Sequence, residues 1–353
     1  MSNVNYENSL TKLTDFFDER LSHGVIPSKK EFISTSKYLS DEIEITEKSA
    51  LDLYWSLLST KEIEELLLIP NLEEIIFQDF NILKIKLSNE SILKKLEVRK
   101  ETILRIVKII IIKNNKELNT KEPFCSFSTT LQGNLVRVTL LKNNHFPLII
   151  FRLMNKNSFP LKDFCIGNSI MSCLKNSIQK RKSILIAGKT GSGKTSLLQT
   201  LIRNEIDSTQ QVCIIEDLKE IDIESRNIIH LSTSEYNRSI NDLISWALRL
   251  SPDRVIIGEI RSSEACGFLN ILNTGHSGSI ATIHANSAKD AIDRLAFLIN
   301  YYNSEMKNDH ERIKKQLVKF IDEIIYIENK KIKEFIKIKG TSNDGALYYE
   351  KYI

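Results

Sequence analysis

The chain is 353 residues long, which at roughly 100–200 residues per domain leaves room for two domains. Hydrophobic residues make up 42% and charged residues 27%, proportions that exclude disordered and fibrous classes. A formal net charge of +4 is mild for this size, and without a concentrated basic face no sequence-specific nucleic-acid binding is expected.

Residues 1–55 read as a helical N-terminal extension, with helix patterns in TKLTDFFDERL and EITEKSALDLYWSLL and a turn at Pro27-Ser28 between them. Residues 56–155 read as a smaller α+β domain. A helix, KEIEELLLI, leads to the strand-like runs EEIIFQ and ILKIKL, then a helix over about 100–115. Three further strand-like runs, CSFSTTL, LVRVTLL and PLIIFRL, predict a largely antiparallel sheet. After a loop at 154–163, residues 156–353 alternate strand and helix in the manner of an α/β domain. The strands are ILIA (184–187), VCIIE (212–216), RVIIGE (254–259) and SIATIHA (279–285), and helices are expected over 194–204, 237–250 and 262–273. Apolar strands between amphipathic helices indicate a buried parallel sheet. The tail from about 309 adds a helix and the runs DEIIYIE and EFIKIK.

Five cysteines, Cys125, Cys165, Cys173, Cys213 and Cys266, are dispersed without a C-x-x-C pair, which fits a reducing compartment and gives no zinc site. The polar start MSNVNYENSL lacks a secretory signal, and the most apolar run, ILRIVKIIIIK at 103–113, is too short to span a bilayer. A cytoplasmic protein is expected, one that still has room for docking on a membrane complex.

GKTGSGKT at 188–195 satisfies the phosphate-loop pattern G-x-x-x-x-G-K-[ST]. Gly188, Gly191 and Gly193 let the backbone turn its N–H groups inward around a phosphate, with Thr190, Ser192 and Ser196 in the same cradle. Lys194 is placed to reach the β- and γ-phosphates of ATP, and Thr195 to ligate Mg²⁺. The helix that starts here presents its positive end to the same anion. The motif follows an apolar strand and precedes a helix, the context the chemistry requires.

Hydrolysis needs a carboxylate near the phosphates to hold the metal or position water. Two strand ends offer one: IIEDLKE, with Glu216, Asp217 and Glu220, and VIIGEIR, with Glu259. Glu259 is the choice for orienting water, and Glu216 follows for that role or for the metal; the alternative for either is a cap on the following helix. His276 and His284 stand eight residues apart in NTGHSGSIATIHAN, with no third ligand at metal-site spacing. They read as a γ-phosphate sensor or a joint between subunits, a satisfied core histidine being the alternative. Arg137 and Arg152 lie on strand-like runs of the first domain. Arg249, Arg254 and Arg261 surround the Glu259 strand and read as structural or solvated.

Four segments, GKTGSGKT, CIIEDLKEI, RLSPDRVIIGEIRSSEA and NTGHSGSIATIHANSAKDAIDRL, occur in the order seen in the secretion-ATPase superfamily, which powers type II and type IV secretion and pilus machines. The chain resembles that superfamily densely over about 180–300 and more weakly over 60–155. The wording of the last two segments is nearest that of the ring ATPases of type IV secretion and conjugal transfer. The resemblance implies a RecA-like P-loop NTPase domain behind a PAS-like N-terminal domain. It implies a homo-hexamer at the cytoplasmic face of a bacterial inner membrane, in peripheral contact with it and with inner-membrane secretion-complex proteins. It further implies ATP hydrolysis with Mg²⁺ that drives domain motion. By motif position Glu259 is similar to the Walker B glutamate, Glu216 to the Asp-box glutamate, and His276 and His284 to the His-box pair. Arg137 and Arg152 match N-terminal-domain arginines that approach the phosphates. A DNA-dependent RecA-like motor and a non-hydrolysing nucleotide-dependent assembly module are the alternatives.

Overall fold

The computed structural model describes residues 2–39, 45–79, 82–87, 90–95, 98–143, 147–154, 159–223, 225, 227–303, 309–342 and 346–353. The chain divides into two compact units, Met1–Asn155 and Lys156–Ile353. The dividing point, and part of the loop expected at 154–163, lie outside the described residues.

The first unit begins with helices α1 (Ser2–Ser22), α2 (Lys29–Leu39), α3 (Glu47–Leu58) and α4 (Lys61–Leu66). Strands β1 (Leu72–Asp79), β2 (Ile82–Leu87) and β3 (Ser91–Lys95) follow, then α5 (Lys100–Lys113) and strands β4 (Phe124–Leu131), β5 (Asn134–Leu141) and β6 (Leu148–Leu153). The six strands form one antiparallel sheet in the order β3-β2-β1-β6-β5-β4. Sequence alone leaves out α2 and β3.

Helix α5 explains its own unusual composition. Ile103, Ile106, Val107 and Ile110 recur at helical spacing and pack on the sheet through Ile75, Phe77, Phe151 and Val138. The opposite side offers Ile109 and Ile112 to Leu13, Phe17, Phe32 and Tyr54 of α1–α3. The apolar run that is too short for a membrane is therefore a helix buried on two faces. Arg105, also on α5, donates to both oxygens of Asp18, Nε to Oδ1 at 2.7 Å and Nη2 to Oδ2 at 2.8 Å. The N-terminal helices thus share a core and an ion pair with the α+β portion rather than standing apart from it.

The second unit contains α6 (Asn168–Gln179), β7 (Ile184–Ala187), α7 (Lys194–Asn204), β8 (Val212–Glu216), β9 (Ile228–Ser232), α8 (Thr233–Tyr236) and α9 (Ile240–Ala247). It continues with β10 (Arg254–Ile260), α10 (Glu264–Asn273), β11 (Ile280–Ile283), α11 (Ala288–Tyr302), α12 (His310–Phe320), β12 (Glu323–Glu328), β13 (Lys331–Thr341) and β14 (Leu347–Lys351). Its eight strands run in the order β14-β13-β12-β7-β11-β10-β8-β9. The strands from β9 to β12 are parallel, and β13 and β14 complete the sheet as an antiparallel edge.

All four residues of β7 are buried because both sheet faces are covered. Leu185 and Ala187 belong to one core, Ile184 and Ile186 to the other. Strand β11 is shorter than SIATIHA suggests and stops before His284. This α/β arrangement sets the carboxyl ends of β7, β11 and β10 side by side, although in the sequence β11 comes last of the three.

Candidate active site

The phosphate loop joins β7 to α7. Gly191 and Gly193 take φ values of +74° and +101°, in the left-handed region where a side chain is strained. Gly188 is required for space: a Cβ there would meet the Ile327 carbonyl oxygen and Ser192 Oγ. The loop is braced by the β12–β13 hairpin, a part of the site that sequence reasoning misses. Asn329 and Lys330, both left-handed at φ 49° and 57°, form its two-residue turn. The Lys330 N–H donates to the Ser192 carbonyl at 2.9 Å, and its ammonium lies 4.5 Å from the centre of the Phe159 ring.

The loop's donors are turned to a common use. Among the described residues, no hydrogen bond engages the backbone N–H groups of Gly191, Gly193, Lys194, Thr195 or Ser196, and buried Ser192 Oγ makes none. Orphan donors at a helix start, with an unpartnered buried hydroxyl beside them, fit a bound phosphate. Thr190 is exposed on the rim of the loop, and Thr195 stands on the first turn of α7.

Lys194 is nearly fully buried, and its three donors each find one acceptor. They reach the carbonyls of Gly188 and Lys189 at 3.0 Å each and His284 Nδ1 at 3.2 Å. An ammonium cannot accept, so Nδ1 is the acceptor and the imidazole proton sits on Nε2. Nε2 in turn meets Glu259 Oε1. Burial lowers the pKa of Lys194, with Glu259 opposing and Arg261 adding to the effect. His284 is likewise lowered by burial, against the pull of Glu259. Arg261 closes the chain by donating to Glu259 Oε2, through Nε at 2.7 Å and also through Nη2.

Strand order explains this assembly. β11 lies between β7 and β10, so the residue after β11, His284, falls between the lysine after β7 and the glutamate near the end of β10. Thr282 Oγ1, buried, donates to the Gly258 carbonyl at 2.6 Å and ties β11 to β10 beside the glutamate.

Glu216 and His276 stand elsewhere. Glu216 is buried, and its carboxylate accepts the N–H groups of Glu220 at 3.3 Å and Ile221 at 3.2 Å, so it holds the turn after β8. Gly258 leaves room for it: a Cβ at 258 would lie 2.8 Å from Glu216 Cγ. Burial pushes the Glu216 carboxyl up to about 8, with the two N–H donors opposing. A carboxylate whose oxygens accept backbone N–H groups holds the turn after β8, a use of Glu216 that the metal or water role expected of it does not include. The sign of its pH effect is fixed. A carboxyl raised in the folded state stabilises fully below its unfolded pKa, near 4.5, and that stability is lost as pH rises through about 8. Thermal melts at pH values from 5 to 9 are expected to show the native chain losing stability relative to Glu216→Gln, at up to roughly 1.4 kcal/mol per pH unit. Parallel curves would exclude this assignment.

His276 precedes β11, whereas His284 follows it. The register pairs Ile280 with Ile184 and Ile283 with Ala187, so His276 lies at the amino-terminal edge of the sheet, opposite the phosphate loop. At about 3.3 Å per residue the whole strand separates the two histidines. His276 Nδ1 is 3.1 Å from Thr274 Oγ1. A phosphate-contacting role for His276 with its own subunit's loop is thereby corrected. Nearby Arg254 is fully buried and donates to Gln210 Oε1, Gly278 O and Ile178 O at 2.6, 3.1 and 2.6 Å; burial brings its pKa down to about 10. It is structural.

In the first unit, Arg137 and Arg152 are directly opposed on β5 and β6, and Arg152 is opposed in turn to Glu74 on β1. Their neighbours Val136, Val138 and Phe151 point into the core, so alternation puts both arginines on the sheet's other face. Arg137 Nε donates to Ser126 Oγ at 3.3 Å.

The glycine loop between β7 and α7, with Lys194, His284 and Glu259 at three adjacent strand ends, defines a RecA-like P-loop fold. The model of the type II/IV secretion system protein family matches residues 72–323, and the chain belongs to that family. It is 26% identical over 299 residues to the type IV secretion system protein VirB11 of Bartonella quintana, covering 71% of this chain and 80% of the relative. It is 31% identical over 239 residues to the conjugal transfer protein TrbB of Rhizobium radiobacter, covering 65% and 72%. In fold it is similar to the pilus retraction motor PilT, solved with bound ADP, at a TM-score of 0.59 and 18% identity over 83% of this chain and 82% of that one.

Proposed function

We propose that this chain is an ATP-hydrolysing motor that works as a homo-hexamer and powers export, conjugal transfer or pilus assembly by a bacterial secretion machine. The observation that carries the proposal is the continuous contact from Lys194 through His284 to Glu259 beside the phosphate loop. The kinship with VirB11, TrbB and PilT points to the same class of work.

In this reading the backbone N–H groups of Gly191 to Ser196 and the Ser192 hydroxyl hold the phosphates. Lys194 turns from the loop carbonyls towards the β- and γ-phosphates, and Glu259 orients the attacking water. Thr195 would hold Mg²⁺, which supplies charge neutralisation at the phosphates when bound. His284, once Lys194 leaves its Nδ1, has a donor or acceptor free to report on the γ-phosphate. Arg137 and Arg152, side by side on one sheet face, are positioned as a pair to meet an anion. The antiparallel sheet backed by α5 supports the PAS-like reading of the first unit.

Among the described residues no helix is long and apolar enough to cross a membrane. The proposed setting is the cytoplasmic face of the inner membrane, in peripheral contact with secretion-complex proteins. Sedimentation of the full chain with ATP and Mg²⁺ tests the motor reading. A ring of six subunits is expected, and a monomer at every concentration would exclude it.

A further inference from the structure

Both oxygens of the Glu259 carboxylate are engaged. His284 Nε2 meets Oε1, while Arg261 donates to Oε2 from Nε at 2.7 Å and from Nη2. Oε2, with two donors from one guanidinium, has both lone-pair sites filled and accepts from water only after Arg261 withdraws, whereas Oε1 takes one donor and keeps a second site.

Arg261 is the partner built to leave. Its side chain is 53% exposed, against 21% for Glu259. Its backbone, by contrast, is pinned: the Glu264 carboxylate, buried at the start of α10, accepts the N–H of Arg261, the N–H of Ser262 at 2.8 Å and the Ser262 hydroxyl at 2.6 Å. A long, exposed side chain on a fixed root can move its guanidinium without moving the strand. It also has somewhere to go. Strands β8 and β10 are neighbours, with Ile215 paired to Ile257, so Asp217 and Glu220 in the loop after β8 lie beside the end of β10. Burial works against the charge of Arg261, while Glu259 and then Glu220 and Asp217 raise its pKa above the usual arginine value. Arg261 thus stands within the field of two carboxylate seats, one at the proposed water-positioning residue and one outside it.

We propose that Arg261 is a latch on Glu259 within the same subunit, a positioning residue that keeps Oε2 from the attacking water until it turns to Asp217 and Glu220. The latch rests on the reading of Glu259 as the water-orienting group. It supplements the contact on Oε1, because Lys194 and His284 control one oxygen of the carboxylate and Arg261 the other. Phosphate that draws Lys194 away from His284 bears on Oε1 alone; Oε2 waits on the β8 loop, whose turn Glu216 secures. The two oxygens of Glu259 thus answer to separate events.

The test is single-turnover ATP hydrolysis by the full chain with Mg²⁺, together with the dissociation constant for ATP. Arg261→Ala is expected to raise the hydrolysis rate several-fold with ATP affinity unchanged, a gain that loss of a merely structural contact does not produce. Arg261→Lys, which keeps the charge but not the two-pronged grip, is expected to fall between the two. Asp217→Asn combined with Glu220→Gln removes the second seat and is expected to slow the rate several-fold. Added to Arg261→Ala, the same pair is expected to do nothing further. A rate that falls or stays level in Arg261→Ala overturns the latch, as does an equal slowing by the carboxylate pair with and without Arg261. Glu259→Gln serves as the reference: native-rate hydrolysis in that variant would remove the water-orienting role itself, a different failure from that of the latch.

Discussion

Replacing Lys194 with alanine is expected to lower ATP hydrolysis by on the order of 100- to 1,000-fold, the effect of removing one preorganised donor from developing charge. The ammonium is buried and already holds three acceptors, Gly188 O, Lys189 O and His284 Nδ1. Phosphate oxygens replace such acceptors with stronger, charged ones, so the lysine is poised for transfer from backbone to substrate. The loss is expected both in turnover and in nucleotide affinity, because the same charge serves both. Phosphate release by the purified variant, with its thermal melt compared to the native chain, checks this. A native hydrolysis rate in Lys194→Ala would overturn the assignment of the loop.

Glu259→Gln is expected to lower hydrolysis by roughly 100- to 10,000-fold, the range for removing a positioned proton acceptor, while nucleotide binding persists. The amide keeps the size of the side chain but gives up the charge, so it neither orients water as a base nor holds Arg261 as an ion pair. The two variants should therefore separate. Lys194→Ala loses binding and chemistry together, Glu259→Gln chemistry alone. Fluorescent-nucleotide titration beside phosphate release distinguishes them, and equal loss of affinity in both would contradict the division of labour.

The phosphate loop was legible in the sequence because its chemistry is local: eight consecutive residues carry the glycines, the lysine and the hydroxyl. The parallel strands were legible too, since burial on both faces leaves ILIA and VCIIE without polar alternation. Strand order is another matter. Nothing in the spacing says that β11 inserts between β7 and β10, and that insertion alone puts His284 between Lys194 and Glu259. The same ignorance paired His276 with His284, although β11 runs between them. The burial of Glu216 was not legible, because a carboxylate at a strand end looks the same whether it faces solvent or lies buried beside Gly258. Arg261 stands one residue past the end of β10, so strand alternation alone does not set it beside Glu259. The bracing of the loop by Asn329 and Lys330 was not legible either, as it is a contact across more than a hundred residues of chain.

That bracing bears on the order in which the molecule comes into being. β7 is bordered by β11 and β12, and the loop behind it is closed by the Gly188 N–H to Ile283 carbonyl bond and by Lys330 on Ser192. A chain leaving the ribosome exposes GKTGSGKT long before residues 280–330 have been made. The motif is then only a glycine-rich segment next to an unpaired apolar strand. Nucleotide capture must await synthesis through residue 330, so a product truncated before it has no finished loop with which to spend ATP.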